Sequence, residues 1–226
     1  EFMNDVPFRN VYLTGIVRDK LGRKMSKTLG NSPDPLDLIS KYGADAVRLG
    51  MLLCSSAGND ILYDESQIEQ GRNFNNKVWN AFRLVTGWTV DASAAHPDAS
   101  AVAVKWFDNK LSQVVEIVED HFSKFRISDA LMAIYKLFWD DFSGWYLEMV
   151  KPAYQAPIDA KTLASTKHYF DYLLRLMHPF MPFVTEEIWQ DLKPEAEVKS
   201  ICIAKQPTAE RKADEAFVIA RQVPYG

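Results

Sequence analysis

From position 64 onward, apolar residues recur at steps of three and four, the spacing of one face of an α-helix. Ile68, Phe74, Val78, Phe82 and Val85 form the first such stripe. Asp64 and Gln67 stand where a capping box would open it, and it ends near Trp88. Residues 91–100 are small and polar and read as a loop. Trp106, Leu111, Val114, Val118 and Phe122 mark a second helix. A third, opened by Ser128, places Leu131, Ile134, Phe138, Phe142, Trp145 and Met149 on one stripe. Pro152 and Pro157 bracket a turn. A fourth helix carries Leu163, Phe170, Leu173 and Met177 and stops before Pro179, because a residue preceding proline avoids helical angles. A short fifth helix starts at "VTEEIW", with Thr185 as its cap, and "SICIA" fits a short strand. Before position 64 the pattern differs. Val11, Leu13, Ile16 and Val17 form a β-favouring run that stops at Gly22. Asp34 before Pro35 is a helix start, Gly43 ends that helix after Tyr42, and Asp45 is expected to cap the next, which carries Val47, Leu49, Met51 and Leu52.

These elements predict a mainly α protein, with a small α/β piece over residues 1–63 and an antiparallel helical bundle over 64–192. Residues 193–226 would form a C-terminal extension. Short connections favour antiparallel neighbours, and the apolar stripes supply the bundle core.

Composition adds exclusions. Of 226 residues, 47% are hydrophobic and 12% aromatic, which is globular and not disordered. The two cysteines, Cys54 and Cys202, are far apart; no metal-ligand spacing or disulfide framework follows, and a reducing, cytoplasmic setting fits. No apolar run is long enough to span a membrane. The opening "EFMNDVPFRN" lacks the basic and apolar regions of a secretory leader. A net charge of −4 argues against a uniform nucleic-acid coat and leaves room for one localised basic site.

That site is legible. Arg18, Lys20, Arg23, Lys24 and Lys27 crowd into one loop punctuated by Gly22 and Gly30. Cations on long stems, hydroxyls at Ser26 and Thr28, and a mobile glycine backbone are what a polyphosphate requires. A solvated basic hairpin is the plainer alternative.

"KMSKT", Lys24 to Thr28, resembles the KMSKS signature of class I aminoacyl-tRNA synthetases, with Thr28 replacing serine but keeping the hydroxyl. "GIVRDKLGRKMSKTLGNSPDPLDLISKYGADAVRLGML" and "GNDILYDESQIEQGRNFNNKVWNAFRLV" are most similar to the valine branch of that family. "WDDFSGWYLEMVKP" and "LMHPFMPFVTEEIW" resemble the anticodon-binding domain shared by the valine, isoleucine and leucine enzymes. The resemblance implies ATP-dependent attachment of valine to its tRNA by a full-length enzyme, of which this would be a C-terminal portion, inactive alone. The family's HIGH tetrapeptide and its editing domain are not in the chain.

By that likeness Lys24 and Lys27 are catalytic, facing the departing pyrophosphate, and Lys24, Met25, Ser26, Lys27 and Thr28 bind ATP. Magnesium is implied with the nucleotide, and no ligand cluster for it stands out. The partners implied are valine, ATP and the tRNA for valine, with the protein a monomer. Arg72, Asn73, Asn76, Lys77, Asn80 and Arg83 lie opposite the first apolar stripe and would face the anticodon stem-loop; Arg18 and Lys20 would touch the tRNA stem. His178 reads as a structural cap. His96, His121 and His168 have no partner pattern for a nucleophile or metal, and adjacent Asp140 and Asp141 point in different directions on a helix. A free-standing RNA-binding module and an isoleucine-type relative remain open alternatives.

Overall fold

The computed structural model describes residues 3, 5–55, 58–193 and 199–208. Among these, helix dominates. The elements run β1 (Val17–Arg18), α1 (Pro35–Tyr42), α2 (Ala44–Leu53), β2 (Ile61–Leu62), α3 (Glu65–Thr86), β3 (Val90–Asp91), α4 (Asp98–Ser123) and α5 (Ile127–Lys136). A π-helical segment (Leu137–Tyr146) continues α5 directly into α6 (Leu147–Val150). Then come β4 (Ile158–Asp159), α7 (Ala160–Met177), α8 (Pro182–Leu192) and a 3-10 turn (Ile201–Ile203). β1 pairs with β2 and β3 with β4, both in parallel. No helix among the described residues is long and apolar enough to cross a membrane.

The expected bundle is present, and several local expectations need correction. The β-favouring run narrows to Val17–Arg18; Val11, Leu13 and Ile16 are exposed outside any strand. β-branched residues fit a pleated, half-buried surface, and only two residues here find a neighbouring strand to make one. "SICIA" is a 3-10 turn capped by the Ser200 hydroxyl, which accepts from Cys202 N–H. Most of the expected extension over 193–226 lies outside the described residues.

The third helix carries the largest correction. Among its buried positions, Ile134, Phe138, Phe142, Tyr146 and Val150 follow one another at a constant step of four. Trp145 and Met149, expected inside, are 48% and 44% exposed. Hydrogen bonding from i to i+5 takes more residues per turn than the α-helix's 3.6, so the inward stripe drifts by one residue over the π segment. The result is an aromatic ladder in the core. Phe142 meets Phe170 edge-on at 5.4 Å, and Phe107 lies 5.3 Å from Phe142 and 5.0 Å from Tyr146. The Tyr146 hydroxyl is hydrogen-bonded to Thr166 at 2.9 Å, and burial pushes its pKa up to about 12.

α2 and α3 touch backbone to backbone. A Cβ placed on Gly71 would lie 2.5 Å from the Ala46 carbonyl oxygen, and one on Gly50 2.6 Å from the Ile68 Cα. Only glycine permits that approach.

α2 also reaches the far end of the chain. Asp45 does not cap its own helix, whose N-cap is Gly43. Its carboxylate accepts from Val184 N–H at 2.7 Å and Phe183 N–H at 3.3 Å, so it caps α8, whose own N-cap, Met181, offers no side-chain acceptor. Thr185, the expected cap of that helix, is buried inside it and donates to Met181 O at 2.7 Å. One turn along α2, Arg48 donates to the carbonyls of Pro179 and Phe180. Burial pushes the Asp45 carboxyl up, against the pull of the two backbone donors. Asp45→Ala is expected to cost about 1–2 kcal/mol, the usual effect of losing an N-cap. Asp45→Asn, which keeps an acceptor oxygen, should cost less. Urea unfolding measures both; a loss for Asp45→Ala below about 0.5 kcal/mol, the scale of a neutral surface change, would refute the capping role.

Candidate functional site

The basic loop is a hairpin built around one carboxylate. β1 leads into it, and an antiparallel bridge joins Arg18 to Lys24. Asp19 is buried at its centre. Its Oδ1 accepts from Leu21 N–H and Arg23 N–H, and its Oδ2 from Arg23 Nε–H at 2.8 Å and Asn31 Nδ2–H at 2.9 Å. The Asn31 hydrogen bond, then the Arg23 contacts, hold its carboxyl far below the usual carboxylate range. Asn31 also accepts from Ser26 N–H at 2.9 Å, so one amide ties the signature turn to the hairpin base. Gly22 and Gly30 sit at φ +76° and +67°, where the chain reverses.

Within this frame the five cations separate into two groups. Arg18 pairs with Asp60, Lys20 with Asp64 at 3.0 Å, and Arg23 with Asp19 at 2.7 Å. Lys24 and Lys27 are exposed, and among the described residues neither has an acidic partner. Two positive charges are therefore held ready on a braced turn. Ser26 has a structural share in that turn, its Oγ accepting from Thr28 N–H at 3.1 Å. Thr28 is exposed. Half-buried Met25 lines a depression of about 360 Å³ with Asp19, Lys20, Leu21, Arg23, Asn31, Tyr63 and Glu65.

The polar face of α3 divides as well. Asn73, Asn76, Lys77 and Asn80 line one groove of about 420 Å³. Arg72 stands apart, 3.5 Å from Glu69 and over the Tyr42 ring, and Arg83 is exposed outside the groove lining. The opposite wall comes from the third bundle helix: Trp139, Ser143, Leu147 and Glu148. Lys77 Nζ sits 4.5 Å from the centre of the Trp139 ring. That ring stacks on Tyr135 at 5.7 Å and an interplanar angle of 5°, backed by Phe74. Amides, an ammonium, a carboxylate and an aromatic platform together can hydrogen-bond and stack an unpaired base. The apolar stripe read from the sequence does not include Trp139, Ser143 or Leu147, so the second wall was not expected.

Comparison with known proteins finds two family matches along the chain. Residues 1–64 match the family described as tRNA synthetases class I (I, L, M and V). Residues 104–223 match the anticodon-binding domain of tRNA ligase. The chain is 59% identical to the valine–tRNA ligase of Parabacteroides distasonis, over 100% of this chain and 26% of that protein. It is 42% identical to the valine–tRNA ligase of Bacillus thuringiensis subsp. konkukian, over 92% of this chain and 24% of that protein. The chain thus spans about a quarter of the length of these curated relatives. Among solved structures, the LeuRS of Agrobacterium radiobacter in a ternary complex with tRNA and LeuAMS superposes with a TM-score of 0.64 at 24% identity, over 94% of this chain and 25% of that one. The methionyl-tRNA synthetase of Mycobacterium tuberculosis, in complex with methionyl-adenylate, gives 0.55 at 24% identity, over 77% of this chain and 36% of that one. At that identity the likeness concerns the fold. A braced lysine loop, a mixed polar and aromatic groove on a helical bundle, and these matches over both parts of the chain converge: it belongs to the class I tRNA synthetases of the isoleucine, leucine, methionine and valine group and carries their anticodon-binding domain.

Proposed function

We propose that the chain serves a valine–tRNA ligase, supplying the KMSKS-type loop for amino-acid activation and the surface that receives the anticodon stem-loop. The observation that carries the first role is the selective pairing of the loop: of its five cations, Lys24 and Lys27 have no acidic partner among the described residues. Activation displaces pyrophosphate from the α-phosphorus of ATP by the valine carboxylate. No covalent enzyme intermediate is needed, so catalysis rests on positioning and on charge set where negative charge grows. Lys27, at the turn's tip, and Lys24, at its base, would face the departing pyrophosphate. Both Asp19 oxygens are filled by hairpin donors, so magnesium would arrive with the nucleotide phosphates and not on this carboxylate.

In this reading residues 1–63 close the catalytic domain, 64–192 form the RNA-binding bundle and 193–226 an extension. The protein works as a cytoplasmic monomer on valine, ATP and the tRNA for valine. The groove between α3 and the π segment would take unstacked anticodon bases, with Trp139 as platform and Asn76 and Asn80 reading base edges. Arg18 and Lys20 are tied to Asp60 and Asp64, so contact with the tRNA stem would require them to exchange acidic partners for phosphate.

Titration of fluorescent anticodon stem-loops with this chain at two salt concentrations tests the RNA reading. Binding should be weak and fall steeply with salt, because Lys and Arg release counterions from phosphate. Trp139→Ala is expected to cost about 1–3 kcal/mol, the usual loss of a stacking platform. Replacing Asn76 and Asn80 together should flatten the preference for a valine over an isoleucine stem-loop. Replacing Arg83, outside the groove, should weaken both equally. If the Asn pair can be removed with full preference retained, the anticodon is read elsewhere.

A further inference from the structure

We propose that His178, Glu186 and Cys202 form a binding site for a divalent cation of the zinc type. His178 ends α7, Glu186 lies on the second turn of α8, and Cys202 projects from the 3-10 turn that follows. One ligand atom from each lies within 4.8 Å of the others. Zinc bonds of about 2.0–2.3 Å to nitrogen, oxygen and sulfur put the ligand atoms of one ion roughly 3.3–3.7 Å apart. His178 Nε2 and Cys202 Sγ stand at 3.0 Å, so that edge opens slightly and the others draw in by about an ångström.

The hydrogen bonds around the triad set His178 and Glu186 in their ligand states. The Thr185 hydroxyl proton is committed to Met181 O at 2.7 Å, so at 2.8 Å its oxygen accepts from His178 Nδ1–H. The Nε2 lone pair then faces the sulfur. This is the arrangement of a metal-binding histidine, whose other ring nitrogen is held by a fixed acceptor. Burial lowers the imidazole's affinity for a proton. Glu186 is pushed up by burial, but donors from Gln190, Ser200 and Ile201 outweigh that and keep it ionised. Those three donors use three of the four lone-pair positions of a carboxylate and leave one. The same bonds seat the 3-10 turn, so the fold carries Cys202 to His178 whether or not an ion is present.

On binding, the thiol proton passes to solvent. Thiolate and carboxylate then balance the dication, and water completes the tetrahedron at the exposed side. The donor set of one sulfur, one nitrogen and one oxygen favours zinc over magnesium or calcium. The ion would fasten the 3-10 turn to the corner between α7 and α8.

The test is a cobalt(II) titration of the reduced, chelator-stripped, tag-free 226-residue chain. One equivalent should produce a thiolate-to-cobalt charge-transfer band in the near ultraviolet, bleached by one equivalent of zinc. Cys202→Ser, at an exposed position, should fold normally and lose the band; Cys54→Ser should keep it. Thr185→Val, which removes the fixed acceptor of Nδ1 together with the hydroxyl's bond to Met181 O, should weaken zinc binding about 10- to 100-fold. Absence of the band in the parent chain, its survival in Cys202→Ser, or its loss in a folded Cys54→Ser would overturn the proposal, as would unchanged zinc affinity in Thr185→Val.

Discussion

Lys27→Ala in the full-length enzyme is expected to lower the rate of valyl-adenylate formation by about 10²–10³-fold, on the order of 3–4 kcal/mol, with little change in valine affinity. The size follows from where the charge stands. A cation aligned with a forming pyrophosphate interacts more strongly with the transition state than with bound ATP, so its loss appears in the chemical step. Lys27→Arg should recover only part of the rate, since a planar fork does not replace a compact ammonium. Lys20→Ala is the internal control. Lys20 belongs to the same loop but is bound to Asp64 and should matter little. Valine-dependent ATP–pyrophosphate exchange and single-turnover kinetics report both quantities. A rate for Lys27→Ala within about threefold of the parent, under 1 kcal/mol, would remove the assigned role. An equal loss in Lys20→Ala would show that pairing within the loop does not select the working lysines.

Tyr146→Ala is expected to destabilise the chain by about 3–5 kcal/mol, as large aromatic deletions from a packed core do. Trp145→Ala, one residue earlier, should cost under about 1 kcal/mol. Tyr146 is fully buried against Phe107, Phe142 and Tyr169, whereas half of Trp145 faces solvent. On a regular α-helix the order would reverse, because Trp145 continues the stripe of Phe138 and Phe142. Urea midpoints at constant m-value decide between the two pitches. Tyr146→Phe, which loses only the bond to Thr166, should fall near 1 kcal/mol.

That contrast marks how far the fold was legible in the sequence. The caps at Asp34 and Asp64, the five bundle helices and the KMSKT loop are written in local residue order, and each appears where expected. Apart from the π pitch, most of the failures share one physical cause: they depend on residues distant in the chain. Asp45 reads as a cap of its own helix because nothing nearby shows that Val184 N–H will arrive in its place. The meeting of Trp139 and Ser143 with Asn76 and Asn80 joins two helices far apart in the chain, which no local spacing shows. Five lysines and arginines in one loop look equivalent until the fold supplies Asp19, Asp60 and Asp64 to three of them. His178, Glu186 and Cys202 have no recognisable spacing, since two helix ends and a separate turn deliver them.

The contact between Asp45 and Val184 spans 139 residues, and this fixes an order of events during synthesis. A ribosome adding about 5–20 residues each second needs roughly 7–28 seconds to deliver that separation. Throughout that time α1 and the lysine hairpin, which precede Asp45 in the chain, have already been made. The Asp45 carboxylate has no helix to cap, and Arg48 has no carbonyls to hold. The nascent chain can settle α2 against α3 early, through the glycine contact between them, but it cannot lock α2 to the far side of the bundle until α8 has emerged. Closure of that ring comes late, and of the described elements only the 3-10 turn and the residues after it remain to be added. A pause in translation shortly before codon 184 would prolong the interval in which the half-built bundle is exposed to chaperones and proteases.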